Sequence, residues 1–311
     1  MKQVYGSVQK IKAGGNFVHK KSLGSLLFDM VNVILMCLLI IITAYPFIYV
    51  IFASFSDSNQ LVSHTGLLFQ PLGLQLDAYK MVFANPNILS GYGNTLLIVI
   101  GGTMINLFFT SLGAYGLSRK GTMLIRPLTI AIVFTMFFSG GMIPVYLLVY
   151  NGLNLGNTLW ALVLPTAIST FNLIVMRTSF AAIPDSLIES GRIDGAGEFT
   201  ILFRIVLPLS MPVIAVMILY YGVAHWNSWF SAMIYLRDRE LYPLQLILRE
   251  ILIQNSVDSM TSTAGGADDK FSIGESIKYA TIVIATVPIL LVYPFLQKYF
   301  AKGVMVGAIK E

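Results

Sequence analysis

Charge is scarce in this chain. Only 11% of its 311 residues are Asp, Glu, Lys or Arg, against 56% hydrophobic ones, whereas an ordinary soluble domain carries roughly 25% charged residues. That balance excludes a water-soluble globular domain. Cys37 is the single cysteine, so an intramolecular disulfide and a cysteine metal site are excluded; its place in an apolar run reads as packing. The sequence holds no Gly-x-x-x-x-Gly-Lys-Ser/Thr loop, no His-Glu-x-x-His helix and no Gly-x-Ser-x-Gly turn, which removes a nucleotide site, a zinc hydrolase helix and a serine nucleophile elbow. It also lacks the period-two alternation, in segments of about ten residues, that marks a membrane barrel. Helices are then the spanning elements.

Six apolar stretches reach the roughly 20 residues that a helix needs to cross a bilayer core: about 30–54, 94–118, 126–149, 157–177, 208–232 and 277–298. The expected fold is an all-α integral membrane protein with six transmembrane helices. Basic residues near span ends are retained on the cytoplasmic side, and an inside N-terminus puts 14 of the 20 Lys and Arg there, including Lys20, Lys21, Arg119, Lys120, Arg192 and Lys298. The predicted topology is therefore N-in and C-in. It divides the chain into a cytoplasmic N-terminal tail, 1–29, a six-span domain, 30–298, and a cytoplasmic C-terminal tail, 299–311. The first stretch is longer than the 7 to 15 residue core of a signal peptide, so it reads as an uncleaved span. The net charge of +5 reflects this topology, and no nucleic-acid partner is inferred from it.

Two connections exceed what a turn requires, which usually means function. One, the cytoplasmic loop 178–207, contains Glu189-Ser-Gly-Arg-Ile-Asp194-Gly195-Ala196-Gly-Glu198-Phe199. Pro184 suits the first turn of a short helix, on which Leu187, Ile188 and Gly191 share a face, and Phe199, Leu202, Phe203 and Val206 recur at helical spacing. The expectation is helix, glycine turn, helix, with Gly195 supplying a positive-φ turn or close backbone approach. Glu189 and Asp194 can accept charge-assisted hydrogen bonds from a partner. The other connection, 236–276 on the outside, pairs a charged cluster, Arg237 to Glu240, with an amphipathic run from Leu244 to Ile253 and a flexible tip at 259–266. The outer segment 56–90 carries the chemistry of turns and short surface helices.

A transport path needs polar and aromatic groups facing a cavity at membrane depth. In the fifth stretch Tyr221, His225, Ser228 and Trp229 fall at i, i+4, i+7 and i+8, with Asn227 on a neighbouring stripe. Asn172 in the fourth stretch is a further candidate. Sugars suit such a face, because their C–H surfaces pack on aromatic rings while hydroxyls bond to Asn, His and Tyr. Two competing readings belong beside this one: Trp229 as part of an interfacial aromatic belt, and Asn172 as an interhelical hydrogen-bonding group. Pro165, Pro288 and Pro294 are expected to bend their spans. Within the stretches Lys, Arg, Asp and Glu occur only near the edges, as at Arg177 and Lys278, and His225 is the interior titratable group apart from tyrosines. An ion-coupled secondary transporter of a small polar solute, the alternative reading, usually carries ionisable groups inside its spans.

The 189–212 segment resembles the cytoplasmic signature loop of the permease subunits of type I, binding-protein-dependent ABC importers: Glu-Ala-Ala, three residues, Gly, then nine residues later Ile-x-Leu-Pro. Glu189, Asp194, Gly195, Ala196, Phe203, Ile205, Leu207 and Pro208 fit, while Ser190 and Gly191 stand where that family has two alanines. The runs Met136–Pro144, Trp226–Trp229, Leu241–Gln245 and Gly303–Lys310 resemble the carbohydrate and oligosaccharide branch. This resemblance implies a type I importer permease fold in a bacterial cytoplasmic membrane and a transport subunit that is not an enzyme. It implies coupling to an ATPase through Glu189, Arg192, Asp194, Gly195, Ala196 and Phe199; the substrate path expected from the residues themselves includes Tyr221, His225, Asn227, Trp229 and Asn172. The implied partners are a second homologous permease, two ATPase subunits, an external solute-binding protein, an oligosaccharide and the lipid bilayer. No cofactor is expected in this chain; ATP and Mg belong to the ATPase.

Overall fold

The computed structural model describes residues 23–119, 124–253 and 267–308, the last segment with side chains over 274–294. The N-terminal tail to residue 22, most of the 118–122 turn and the 259–266 tip lie outside the described residues. Among those described there is no strand, only an isolated bridge between Ser56 and Leu74. The elements in order are α1 (Leu23–Ser54), α2 (Ser58–Ser63), α3 (Asp77–Ala84), α4 (Pro86–Ser118), α5 (Ile125–Phe137), α6 (Met142–Leu147), α7 (Trp160–Val163), α8 (Thr170–Ala181), α9 (Asp185–Ile193), α10 (Glu198–Ile201), α11 (Leu207–Leu209), α12 (Met211–Trp226), α13 (Phe230–Tyr235), α14 (Leu244–Ile253) and α15 (Ala267–Ala308).

Three unbroken helical segments are long and apolar enough to cross a membrane: Gly24–Ser54, Pro86–Ser118 and Gly274–Pro294. Three bent pairs pass the same test when each counts as one span: Ile125–Phe137 with Met142–Gly152, Trp160–Thr166 with Thr170–Ala181, and Glu198–Leu209 with Met211–Trp226, bent by 109°, 51° and 87°. The stretches 126–149, 157–177 and 208–232 are thus broken, the second at Pro165 as its proline leads one to expect, the other two where the sequence reads as continuous. Each break has a local cause. Gly141 sits at φ +86, a backbone state that side chains strain, and the chain turns there between α5 and α6. Pro165 lies in a tight turn between α7 and α8, because it can donate no helical hydrogen bond. Pro208 and Pro212 flank the Ser210 bend in the same way. By contrast, Pro288 and Pro294 lie inside α15, which runs on through Ala308 without a break at residue 298.

The first unit, ending at Ile48, contributes most of α1. Cys37 is exposed there rather than packed, as are the apolar side chains from Leu26 to Ile42.

The second unit is organised around α4, whose 33 residues measure about 50 Å at 1.5 Å per residue. At its C-terminal end Tyr115 shares one core with Met176 and Phe180 of α8, Ile188 of α9, Ile201 of α10 and Met217 of α12. At its N-terminal end Ile88 packs with Leu244, Ile247 and Ile251 of α14 and Ile277 of α15. The amphipathic run in the 236–276 connection therefore forms a helix with its apolar face buried, as its spacing predicts. Two α4 side chains fix the approach to it: Thr95 Oγ1 accepts the Leu244 N–H at 2.9 Å, and Asn94 Nδ2 donates to the Glu240 carbonyl at 2.6 Å.

At Gly91 the backbone of α4 packs closely against α14. A Cβ there would lie 2.5 Å from Ile247 Cδ1 and 3.3 Å from Leu244 Cα. Gly91→Leu is expected to push α14 off α4 and destabilise the protein by about 1–3 kcal/mol, read as a lower thermal unfolding midpoint in detergent; an unchanged midpoint would show that this packing is dispensable.

Candidate functional site

Two features bring polar groups together. The first is the turn between α9 and α10. Pro184 occupies the position just before α9 rather than its first turn. Ile188 and Gly191 are buried, while Leu187 of the predicted face is 41% exposed. Gly191 matters sterically, because a Cβ there would meet Ile205 Cδ1 at 2.9 Å. The chain reverses at Gly195, φ +80, with open space around it, so its requirement is conformational. The Ala196 N–H closes the turn onto the Gly191 carbonyl at 2.9 Å.

What this turn shows to solvent is distinctive. Glu189 and Asp194 are exposed, and among the described residues neither carboxylate has an ion-pair partner. Beside them Ile193 is 85% and Phe199 70% exposed. Arg192 differs from the other predicted residues, since it pairs with Glu198 at 2.7 Å. Glu198 also accepts a hydrogen bond from the Tyr115 hydroxyl at the end of α4. That Tyr115 bond, followed by Arg192, holds the Glu198 carboxyl below the usual carboxylate range, against the opposing effect of burial. The Arg192 guanidinium is shifted up by the same carboxylate. Sequence spacing gave no signal for the Tyr115–Glu198 contact, which joins residues 83 positions apart.

The second feature is a cavity of about 460 Å³, whose lining includes Asn172, Tyr221, His225, Asn227 and Trp229. All five predicted path residues face this one space. Their presentation differs from a single helical face. α12 ends at Trp226, Asn227 caps it with Nδ2 donating to the Val223 carbonyl at 2.9 Å, and Ser228 and Trp229 lie in the break before α13. Tyr221 and His225 are 4% and 6% exposed and are tied to α4. The Tyr221 hydroxyl lies 2.8 Å from Thr110 Oγ1 and accepts the Ser169 N–H at 3.1 Å. His225 Nε2 lies 2.7 Å from Asn106 Oδ1; an amide oxygen only accepts, so Nε2 carries the proton. Asn106 Nδ2 in turn donates to the Thr166 and Ala167 carbonyls at 2.7 and 3.0 Å. These are the carbonyls beside the Pro165 break. Asn172 is buried at the start of α8, where Ser169 Oγ accepts its backbone N–H at 3.5 Å. Trp229 is half-exposed, with the Arg249 guanidinium 4.8 Å from its ring centre.

Residues 114–306 match the family of the binding-protein-dependent transport system inner membrane component. The chain belongs to this family. It is 43% identical over 91% of its length to the polygalacturonan/rhamnogalacturonan transport system permease protein YtcP of Bacillus subtilis, covering 98% of that protein. Protein LplC of the same organism is also 43% identical, with 91% of this chain and 95% of LplC covered. Among solved structures it matches a chain of a bacterial ABC transporter involved in the import of the acidic polysaccharide alginate, at 32% identity and TM-score 0.84, over 90% of this chain and 98% of that one. This permease is thus a multi-pass membrane subunit of the ABC importer class, similar to the carbohydrate branch, and its relatives are transport subunits and not enzymes.

Asn106→Leu removes the partner of His225 and of two carbonyls. The loss is expected to be about 1–3 kcal/mol, with His225→Phe less than additive on top of it in a double-mutant cycle of detergent unfolding; strict additivity would mean the two side chains act separately. Because the folded Glu198 carboxyl titrates below its unfolded value, its stabilising contribution is complete above the ordinary carboxylate range and fades as pH falls through the lowered value. Glu198→Gln is expected to flatten that acid-side loss in a series of unfolding midpoints.

Proposed function

We propose that this chain is one permease of an ATP-driven oligosaccharide importer in a bacterial cytoplasmic membrane. It lies N-in and C-in, with α9 and α10 on the cytoplasmic side and α14 outside. The α9–α10 turn docks into a separate ATPase subunit through Glu189, Asp194, Gly195, Ala196 and Phe199, and the exposed Ile193 adds apolar contact. Arg192, through Glu198, keeps the turn in shape.

One observation carries this reading. The turn has a solvent face of unpaired carboxylates beside exposed Ile193 and Phe199, and an inner face, Ile188 and Ile201, built into the same core as α4, α8 and α12. A partner gripping the outer face moves the spans through the inner one, since packed cores transmit displacement rather than absorb it.

The cavity lined by Asn172, Tyr221, His225, Asn227 and Trp229 is this subunit's share of the path, completed by a second homologous permease. Its mixture of aromatic rings and neutral polar groups suits a sugar. Relatives named for polygalacturonan/rhamnogalacturonan and for arabinooligosaccharides support an oligosaccharide substrate. An external solute-binding protein delivers it, and two ATPase subunits hold ATP and Mg; this chain holds no cofactor of its own. Closure of the ATPase pair draws the docked turns together and opens the cavity outward, and hydrolysis resets it.

Purification by a tag on this chain is expected to recover an ATPase and a second permease. Glu189→Ala, which removes a charge-assisted contact, and Gly195→Asp, which strains the positive-φ turn by about 1–2 kcal/mol, are each expected to lower ATPase recovery and binding-protein-stimulated hydrolysis roughly tenfold. Uptake by the lone chain, driven by an ion gradient and insensitive to vanadate, would overturn the reading in favour of a secondary transporter.

A further inference from the structure

Glu198 divides its carboxylate between two partners. One oxygen, Oε1, accepts from Arg192 Nε and Nη2 at 3.0 and 2.7 Å, which closes the α9–α10 turn on itself. The other, Oε2, accepts from the Tyr115 hydroxyl, and that bond leaves the turn for α4. Tyr115 is 7% exposed, shares a core with Met176, Phe180 and Ile201, and has the Arg119 guanidinium 4.8 Å from its ring centre. Five residues earlier on the same helix, about 7.5 Å along its axis, Thr110 Oγ1 lies 2.8 Å from the Tyr221 hydroxyl, and Tyr221 lines the cavity.

We propose that Tyr115 is a positioning residue for transport: its hydroxyl, bonded to Glu198, makes α4 follow the docking turn, so that motion of the ATPase reaches the cavity wall. This rests on the docking reading above and names the residue that transmits it. The apolar groups around Tyr115 resist separation, but their attraction has no direction, so α4 can slide across them. A hydrogen bond to a carboxylate is directional and charge-assisted, and sliding breaks it. Neither end of this bond is loose. The ring of Tyr115 is packed on its sides, and Glu198 is held from behind by Arg192. From Tyr115 the helix continues without a break to Thr110, and Thr110 meets Tyr221. The same link serves the opposite direction, from a loaded binding protein at the outer face to the ATPase.

The test uses the complex purified by a tag on this chain, in nanodiscs, with its binding protein loaded with trigalacturonate or with arabinotriose, whichever accelerates wild-type hydrolysis more. Two quantities are read: the ATPase recovered with the tag, and the part of the hydrolysis rate, per recovered ATPase, that depends on loaded binding protein. Tyr115→Phe keeps the ring and removes only the hydroxyl. It is expected to leave recovery unchanged and to lower the binding-protein-dependent rate about tenfold, the scale of one charge-assisted hydrogen bond. A merely structural role would lower recovery or the unfolding midpoint and leave the rate per recovered ATPase as it was. Glu198→Gln, whose amide oxygen still accepts from Tyr115 while the ion pair with Arg192 is lost, is expected to keep most of the acceleration. Full acceleration in Tyr115→Phe, or a loss confined to Glu198→Gln, overturns this inference and leaves the docking reading standing. A wild-type chain that recovers no ATPase, or whose ATPase neither sugar accelerates, overturns the importer reading and the inference with it.

Discussion

A helix broken within an apolar stretch frees carbonyls and N–H groups that need new partners, and the rest of this structure depends on how one such break is repaired. At Pro165 the chain turns between α7 and α8, and the side chain of Asn106 on α4 reaches the Thr166 and Ala167 carbonyls. The Ser169 N–H, on the far side of the break, donates to Tyr221. Those two groups are themselves fixed, Asn106 by His225 and Tyr221 by Thr110. Helices α4 and α12 and the α7–α8 bend are thereby tied together by polar groups. Apolar burial could not achieve this alone, because between helices in lipid the hydrophobic driving force is absent and packing and hydrogen bonds set the arrangement.

The same repair creates the cavity. Bending the chain at Pro165 and ending α12 at Asn227 pulls backbone away from the straight path of a helix, and the space that opens is edged by the polar side chains that service the breaks. Tyr221 and His225 therefore belong to both structure and site: each uses its polar atom to hold α4 and leaves its ring at the cavity wall. At the C-terminal end of α4, Tyr115 and Glu198 connect the α9–α10 turn to the same helix. One element, α4, thus touches the proposed docking turn, the repaired break and the α14 helix that carries Arg249.

Much of this was legible from residues alone. The α9–α10 turn was read from its acids, its Asp-Gly-Ala and its Leu-Pro, since local turn chemistry and helical periodicity are short-range properties that sequence displays. Tyr221, His225 and Trp229 were picked by side-chain type and i, i+4, i+8 spacing, Asn227 on a neighbouring stripe and Asn172 by type alone, although that spacing assumed a helix continuing through residue 229. Trp229 reaches the cavity from a break instead. Missed altogether were Asn106, Thr110 and Tyr115, because an Asn, a Thr or a Tyr within an apolar run carries no mark of which distant partner it will meet.

The sequence by itself determined a helical membrane chain and the helix, glycine turn, helix of α9 and α10, because transfer of apolar side chains out of water and the φ preference of Gly195 are properties of composition and of neighbours a few residues apart. Only the tertiary structure decided that Asn106 closes the break at Pro165, that His225 donates to Asn106, and that Arg249 stacks on Trp229. Each of these depends on contacts between residues roughly 20 to 120 positions apart, where the choice of partner is made by the packing of whole helices and the need to satisfy every buried polar group at once.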